Sequence, residues 1–533
     1  MPSVPKLYPF ILLALGLLFF VPFLGYSPLF DGAELRFAEA AREMLVTNTF
    51  SHAQLNFEPD PATPPLLPWL QALSMRLFGV ADNAELAARL PSALMGIVTL
   101  LTLFYVGRKK HDARFGLLWA LSYLGSVTPF ILAKSALPAT TGHLFNFVGT
   151  LYLAEVLSST DTGQRLRHTG VAGLFFGVAL LTNGALNAGF LIILLLLINY
   201  WRIEHRPLSI KIKNAVVVLI PPILCSVAWL MSVPGPGWQR ALKSTTDFST
   251  IGFLLAGVVG ILLTVVLSSR YWSEEKITPF TSPEAAFQHW MATVSRSAIF
   301  ILVTAPSGVL LFWFLLSYLT TYHIHQILLG KTVWDKINTY LMIISGLLVG
   351  LLMIAVPYLG MNPDWLARRT SDPYWVGITE APVNWGGWEW LIGVALIVST
   401  TFFALRVRQR IFQSMVGLYL ATAVCTLAFL TVVVPKIEQY LQGPLVDFCE
   451  AKWKQPVYVQ TSFPSYAPLF YTRRQPPIEP RSRRMDWLIN GPVDRQTFII
   501  TTATDASRYR YKTNLDLVSE ESGYVIFKRK QFQ

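Results

Sequence analysis

The sequence predicts an all-α polytopic membrane protein of about 11–13 transmembrane helices with a small C-terminal α/β soluble domain. Charged residues make up 14% of the 533 positions and hydrophobic ones 53%, against about 25% charged in ordinary soluble domains. Mean hydropathy is positive, +0.46, and apolar runs of about 18 or more residues recur along the first 433 positions. Beyond 434 those runs give way to short β-branched and aromatic segments between Pro, Gly and charged residues.

The first run, Leu7 to Gly25, is a retained span rather than a signal peptide, because only Lys6 precedes it and no small-x-small cleavage site comes before Tyr26. Taking it as 8–26, further spans are expected at 91–107, 115–132, 140–157, 169–182, 184–200, 214–233, 250–268, 298–318, 340–359, 388–405 and 413–433. Tyr8, Tyr26, Trp201, Tyr271 and Trp272 fall near span ends, as interfacial aromatics do. Lys6 and Arg108-Lys109-Lys110 on the inner side put the loop 27–90 on the outer face, and Arg406 to Arg410 put everything after 434 there too. Those ends require an odd number of crossings, whereas the spans above are even in number. The discrepancy falls on Pro221-Pro222, a candidate helix break, or on the region 270–340.

The tail divides the chain into 1–433, with its outer loop 27–90, and an α/β domain over 434–533. Leu445–Trp453 reads as a short helix after Gly443-Pro444, and Pro456–Gln460, Thr497–Thr502 and Tyr524–Lys528 read as strands. The net charge of +12 does not mark a nucleic-acid binder, since the basic residues sit mostly in short loops that orient membrane spans. Arg473, Arg474, Arg481, Arg483 and Arg484 form a basic patch in the tail, either a solvated headgroup-facing loop or a contact for an anionic lipid or lipid-linked phosphate. The three cysteines cannot form a disulfide framework.

The chemistry concentrates after the first span, in Asp31-Gly-Ala-Glu34-Leu-Arg36-Phe-Ala-Glu39-Ala-Ala-Arg42-Glu43-Met44. A carboxylate at Asp31 or Glu34 can serve as general base toward a hydroxyl or amine, or as one ligand of a hard divalent cation. The structural alternative is an N-cap at Asp31 with Glu34 reaching back. Downstream, Asn56 to Pro65 is a proline-stiffened loop that carries Glu58 and Asp60 and leads into an interfacial helix at 66–78. Lys134, between Pro129 and Pro138, stands either to meet a phosphate or to snorkel. His143 on the next apolar helix reads as a hydrogen-bonded packing residue, and Asn183-Gly184 as a tight turn. No P-loop, nucleotide-binding glycine motif, metal-spaced Cys/His set or nucleophile elbow is present.

At these residues the chain resembles the GT-C superfamily of integral-membrane glycosyltransferases, in its protein-mannosyltransferase-like and aminoarabinose-transferase-like bacterial branch. The resemblance rests on Glu34, Arg36, Phe37, Ala38, Glu39, Arg42, Glu43 and Met44, then Pro64, Pro65, Leu66 and Trp69, then Phe78-Gly79 and Ala88-Arg89-Leu90-Pro91. It implies a multi-pass protein of the bacterial inner membrane with its tail on the periplasmic side. There a transferase has no nucleotide sugar, so the donor is a polyprenyl-phosphate-linked sugar. It implies transfer of a hexosyl or pentosyl group to a lipid, glycan or protein acceptor, with Asp31 and Glu34 as catalytic carboxylates and Arg36, Arg42 and Lys134 on the donor phosphate. The departures fall on charged positions: Ala33, Ala62, Thr63, Ala139 and Asn183 stand where the family carries acidic or basic residues or its Lys-Gly turn. They leave a second reading open, a GT-C scaffold that binds lipid or a protein partner without transferring sugar.

Overall fold

The computed structural model describes residues 4–79, 83–183, 207–234, 284–295 apart from positions 285 and 293, 313–453 and 455–530. The predicted spans 184–200 and 250–268, and Gly184 of the predicted turn, lie outside these residues. Helix α1 (Val4–Phe20) enters the bundle, and two helices follow at its end: α2 (Ala33–Thr47) and α3 (Leu66–Phe78). Between them a two-stranded hairpin pairs β1 (Gln54–Leu55) with β2 (Glu58–Pro59). Helix α3 has the interfacial character its sequence predicts. Trp69, Leu73 and Leu77, spaced one turn apart, are exposed, while Leu67, Gln71, Ala72 and Met75 are buried.

The chain returns through α4 (Ala84–Lys110), and α5 (Ala113–Leu124) and α6 (Val127–Ala133) together form the next pass. The predicted continuous span 115–132 is instead a broken one, bent by 72°. Pro129 has no N–H for the carbonyl of Gly125, and its ring clashes there, so the helix cannot run on. Gly125 turns that break into close packing: a Cβ on it would lie 2.6 Å from the Tyr419 Cα. Helices α7 (Ala139–Ser158), α8 (Thr162–Asn183) and α9 (Leu208–Ser232) follow. Pro221 and Pro222, a candidate break, leave α9 continuous. Gly173 and Gly177 of α8 let its backbone sit against the Val218 carbonyl that Pro222 deprives of a helical donor, and against Pro221.

The region 270–340 departs most from expectation. Where one span was expected at 298–318, the described helix α10 runs over Trp313–Leu328, and helical residues at 286–292 lie alongside it. Gln288 takes the Tyr322 hydroxyl at 3.3 Å, and the Ser295 hydroxyl donates to the Leu315 carbonyl at 3.2 Å, so the two stretches run in opposite directions. Of the expected span only 313–318 is described, as the start of α10, and the remainder lies outside the described residues.

Helices α11 (Lys336–Met361), α12 (Pro363–Ala367), α13 (Pro373–Thr379), α14 (Leu391–Arg406), α15 (Ile411–Val432), α16 (Val434–Leu441) and α17 (Gly443–Ala451) lead to the tail. Four described helices are long and apolar enough to cross a membrane, and the bent pair makes a fifth candidate. With the shorter apolar helices this is a multi-pass membrane protein.

The tail folds β3 (Val457–Thr461), α18 (Ala467–Phe470), α19 (Met485–Asn490), β4 (Gln496–Thr502), β5 (Leu515–Glu521) and β6 (Tyr524–Arg529). The sheet order is β3-β4-β6-β5, with β3 parallel to β4 and the other pairs antiparallel. Sequence reading misses β5, whose side chains are mostly exposed beyond Leu515. Alternation sends Phe498, Ile500, Tyr524 and Ile526 to one face, packed with Leu35 and Ala38 of α2 and Met75 of α3. Ile499, Val525 and Phe527 face the other way, onto Ile489 of α19. The sheet is thus seated directly on the outer loop.

Gly125→Val forces a branched side chain against the Tyr419 backbone, and is expected to destabilise the protein by about 1–3 kcal/mol. Gly170→Ala, at a helical position with nothing within 4 Å of an added Cβ, should be neutral or stabilising by up to about 1 kcal/mol. Thermal unfolding midpoints of both in detergent check the pair.

Candidate active site

The charged residues of α2 separate into three sets that face different neighbours. The deepest is built on Glu34 and Arg89. Arg89 Nη2 donates to Glu34 Oε2 at 2.8 Å and its Nε to Oε1 at 3.2 Å. Its remaining N–H groups go to the carbonyls of Leu24, Ser27 and Pro28, so all five guanidinium donors are used. Glu34 also accepts the backbone N–H groups of Phe30 and Ala136. Burial pushes its carboxyl up, but Arg89 and the two amides outweigh that and hold it below the ordinary value. Glu34 is therefore an ionised, fully occupied carboxylate rather than a proton acceptor.

The same region engages Lys134. Its ammonium donates to the carbonyls of Phe19, Phe20 and Pro22 at the end of α1, which uses its three protons and caps the helix with positive charge. The sequence assigned Lys134 to a donor phosphate; the structure places it as a C-terminal cap.

The second set is Glu39, Arg42 and Glu43. Arg42 meets Glu39 in a bidentate pair at 2.7 Å for both bonds, and its Nη2 also reaches the Arg474 carbonyl of the tail at 2.9 Å. Its side chain is 2% exposed and that of Glu39 0%, so Arg42, assigned by sequence to the donor phosphate, is enclosed in protein. Glu43 Oε2 accepts the Phe57 amide of the β1–β2 turn at 2.7 Å. Burial first, and then the neighbouring Glu39 carboxylate, push the Glu43 carboxyl up to about 9.

The third set is the accessible one. Arg36 donates from Nε to Thr63 Oγ1 and from Nη2 to Asp60 Oδ2, both at 2.9 Å, and Thr63 donates to the same Asp60 oxygen at 2.5 Å. Asp31 stands nearby but does not cap α2. The N-cap is Gly32, with no side-chain cap bond. Instead Asp31 Oδ1 accepts the N–H groups of Gly32 and Tyr466, while its own N–H goes to Gln442 Oε1. Burial, then the charges of Asp60 and Asp31, raise the Tyr466 phenol and Arg36 lowers it, so Asp31, Arg36 and Asp60 gather around one tyrosine. Among the described residues, Asp31 Oδ2 and Arg36 Nη1 carry no hydrogen bond.

The other sequence candidates lie apart. Glu58 is exposed and pairs with Arg483 at 3.1 Å. His143 is buried in α7, and among the described residues its Nε2 has no hydrogen-bond partner. Asn183 ends α8. Among the described residues no three His, Cys, Asp or Glu side chains converge in the manner of a metal site. The residues that sequence reasoning passed over are Gln442, Tyr466 and Tyr471, whose hydroxyl accepts the Leu29 N–H, and Arg89, visible only inside the frame Ala88-Arg89-Leu90-Pro91.

Comparison with known proteins bears on this geometry. Residues 62–230 match the family model of dolichyl-phosphate-mannose-protein mannosyltransferases. The structure superposes on ArnT from Cupriavidus metallidurans, solved bound to undecaprenyl phosphate, with a TM-score of 0.68 over 97% of both chains at 16% identity. At that identity the likeness shows that the two chains share a fold. Its curated relatives include undecaprenyl phosphate-α-4-amino-4-deoxy-L-arabinose arabinosyl transferases. The one from Shewanella sediminis is 26% identical over 219 residues, 41% of this chain and 38% of the relative. One from Pseudomonas fluorescens is 29% identical over 230 residues, 42% of this chain and 40% of the relative. The alignment thus spans about two fifths of those relatives.

Breaking a buried pair by removing one partner costs about 3–5 kcal/mol. Arg89→Met should therefore lower the thermal midpoint and the folded yield in detergent severely. Arg89→Lys should recover little, since an ammonium cannot supply the fork. Glu43 gives a pH prediction. Its folded pKa, about 9, lies above its ordinary value of 4.5, so the folded state holds a proton that the unfolded state releases, and this group's contribution falls as pH rises through that window. Glu43→Gln should raise the thermal midpoint at pH 8 relative to wild type and flatten its decline between pH 5 and 9.

Proposed function

We propose that this protein transfers a sugar from a polyprenyl-phosphate donor to a hydroxyl or amine acceptor on a lipid, glycan or protein, at the outer face of the bacterial inner membrane, with Asp31 as general base. The observation that carries the reading is that Asp31 and Arg36 both act on Tyr466 and, among the described residues, each keeps one atom, Oδ2 and Nη1, outside its hydrogen bonds. Relatives that share 41% of the chain act on undecaprenyl-phosphate-linked aminoarabinose, which supports the donor class.

The steps follow from those atoms. Asp31 Oδ2 takes the acceptor proton as the acceptor oxygen or nitrogen bonds to the anomeric carbon. The bond from that carbon to the phosphate oxygen breaks, and the lipid phosphate leaves with the electron pair. Arg36, oriented by Asp60 and Thr63, offers Nη1 to the charge that builds on the leaving phosphate. Tyr466 and Gln442 hold Asp31 through backbone and side-chain bonds and leave Oδ2 for the proton.

General-base assistance is worth roughly 10²–10⁴-fold. Asp31→Asn in proteoliposomes supplied with a polyprenyl-phosphate sugar should lose that much turnover at unchanged folded yield, and Arg36→Gln should also lower it. Wild-type turnover in Asp31→Asn would remove the assignment. The scaffold reading draws support from the commitment of Glu34 and Lys134 to internal bonds. It predicts no transfer by the wild-type protein and a native role unaffected when Ala33→Asp, Ala62→Glu, Thr63→Lys and Ala139→Asp are combined.

A further inference from the structure

A cleft of about 400 Å³ opens in the tail, between β3 and the turn after α18, away from Asp31 and Arg36. Three arginines line it. Arg474 donates to Gln460 Oε1 at 3.3 Å and to the Ser482 carbonyl at 3.0 Å, both neutral partners. Arg473 lies flat over the Trp453 ring, its guanidinium carbon 3.5 Å from the centroid, and is held in the left-handed region at φ 51°. Arg495 lies over Tyr458, 5.7 Å from the centroid. The opposing charge is sparse. Asp494 stands 3.5 Å from Arg495 and is half exposed, where it also accepts the Tyr458 hydroxyl. Glu85 and Glu450 also act on Arg473, and Glu39 and Glu43 on Arg474.

Guanidinium groups held flat against aromatic rings are pre-oriented forks, and their planar donors match the oxygens of phosphate. The remainder of the basic segment has structural work: Arg483 pairs with Glu58 and the Phe57 carbonyl of the outer hairpin, and the Arg474 carbonyl receives Arg42. Arg473, Arg474 and Arg495 line the cleft.

We propose that this cleft is an anion site for a phosphate group, separate from the transfer site, formed by Arg473, Arg474 and Arg495 against Trp453 and Tyr458. The phosphate is that of a membrane-lipid headgroup or of a soluble phosphate, and the fit to either rests on the same contacts. Binding involves no sugar transfer, so it stands or falls without the reading of Asp31.

The test uses the full chain in phosphatidylcholine nanodiscs with no sugar donor present. Inorganic phosphate and short-chain phosphatidic acid are titrated separately by calorimetry, with short-chain phosphatidylcholine as the control. Saturable binding of either phosphate probe, weakened about tenfold or more in Arg473→Gln/Arg495→Gln, supports the site, and the probe that binds identifies the source. Trp453→Phe should remove the fluorescence change that accompanies binding. If the double variant has a lowered thermal midpoint, Arg495→Gln alone replaces it, because among the described residues the Arg495 side chain meets the half-exposed Asp494 and the Tyr458 face. Absence of saturable binding for both probes, or equal binding by the arginine variant, overturns the proposal.

Discussion

The five-donor clasp of Arg89 is the constraint on which the outer end of this protein depends. It joins four pieces of backbone distant in sequence: the carbonyls that follow α1, the first turn of α2, the start of α4 and, through Glu34, the elbow between α6 and α7. Each piece carries polar groups at the membrane boundary, where unpaired amides and carbonyls are costly. A single guanidinium and a single carboxylate satisfy most of them. The charge is neutralised locally, and the geometry of the elbow is fixed to the fork of one side chain.

That clasp determines which charges remain for chemistry. A helix such as α2 presents side chains around its whole circumference, so its charges cannot all face one cavity. Glu34 turns inward to Arg89, and Glu39, Arg42 and Glu43 turn toward the tail and the β1–β2 hairpin. Arg36, about half a turn from Glu34, faces the proline-stiffened loop and finds Asp60 and Thr63 there. Thr63 stands where the family resemblance expects a lysine. A lysine at that position would compete with Arg36 for Asp60; a hydroxyl instead accepts from Arg36 and donates to the same carboxylate. The local network thus holds one oriented arginine.

Much of the architecture was legible because it is written in local patterns. Apolar length gave most spans, β-branched runs gave β3, β4 and β6, and the charge-rich segment after α1 gave the family resemblance. What escaped depends on tertiary partners. The break at Gly125 was encoded in Pro129, yet Pro221 and Pro222 sit in an unbroken helix because Gly173 and Gly177 accommodate the freed carbonyl. Strand β5 lacks an apolar alternation because only Leu515 is buried. The segment Asp31–Met44 was visible as a cluster of charge, but which neighbour each of its side chains would meet was illegible. Whether a carboxylate is a latch or a base depends on Arg89, 55 positions from Glu34, and on partners in the tail.

Asp31 is held in place by the tail. Its N–H is held by Gln442 and its Oδ1 by the Tyr466 N–H, 411 and 435 residues away in sequence. Gln442 completes the arrangement by donating to the Leu29 carbonyl, and Tyr471 accepts the Leu29 N–H. The loop between α1 and α2 therefore takes its shape from residues that exist in place only when the sheet has docked on α2 and α3. A carboxylate aligned by a single peptide segment would sample several rotamers at the membrane surface, at a cost to any proton transfer that needs a fixed distance. Fastening it to a separate folded unit removes that freedom. The apolar contact between sheet and loop is thus the means by which a short acidic segment acquires a defined geometry.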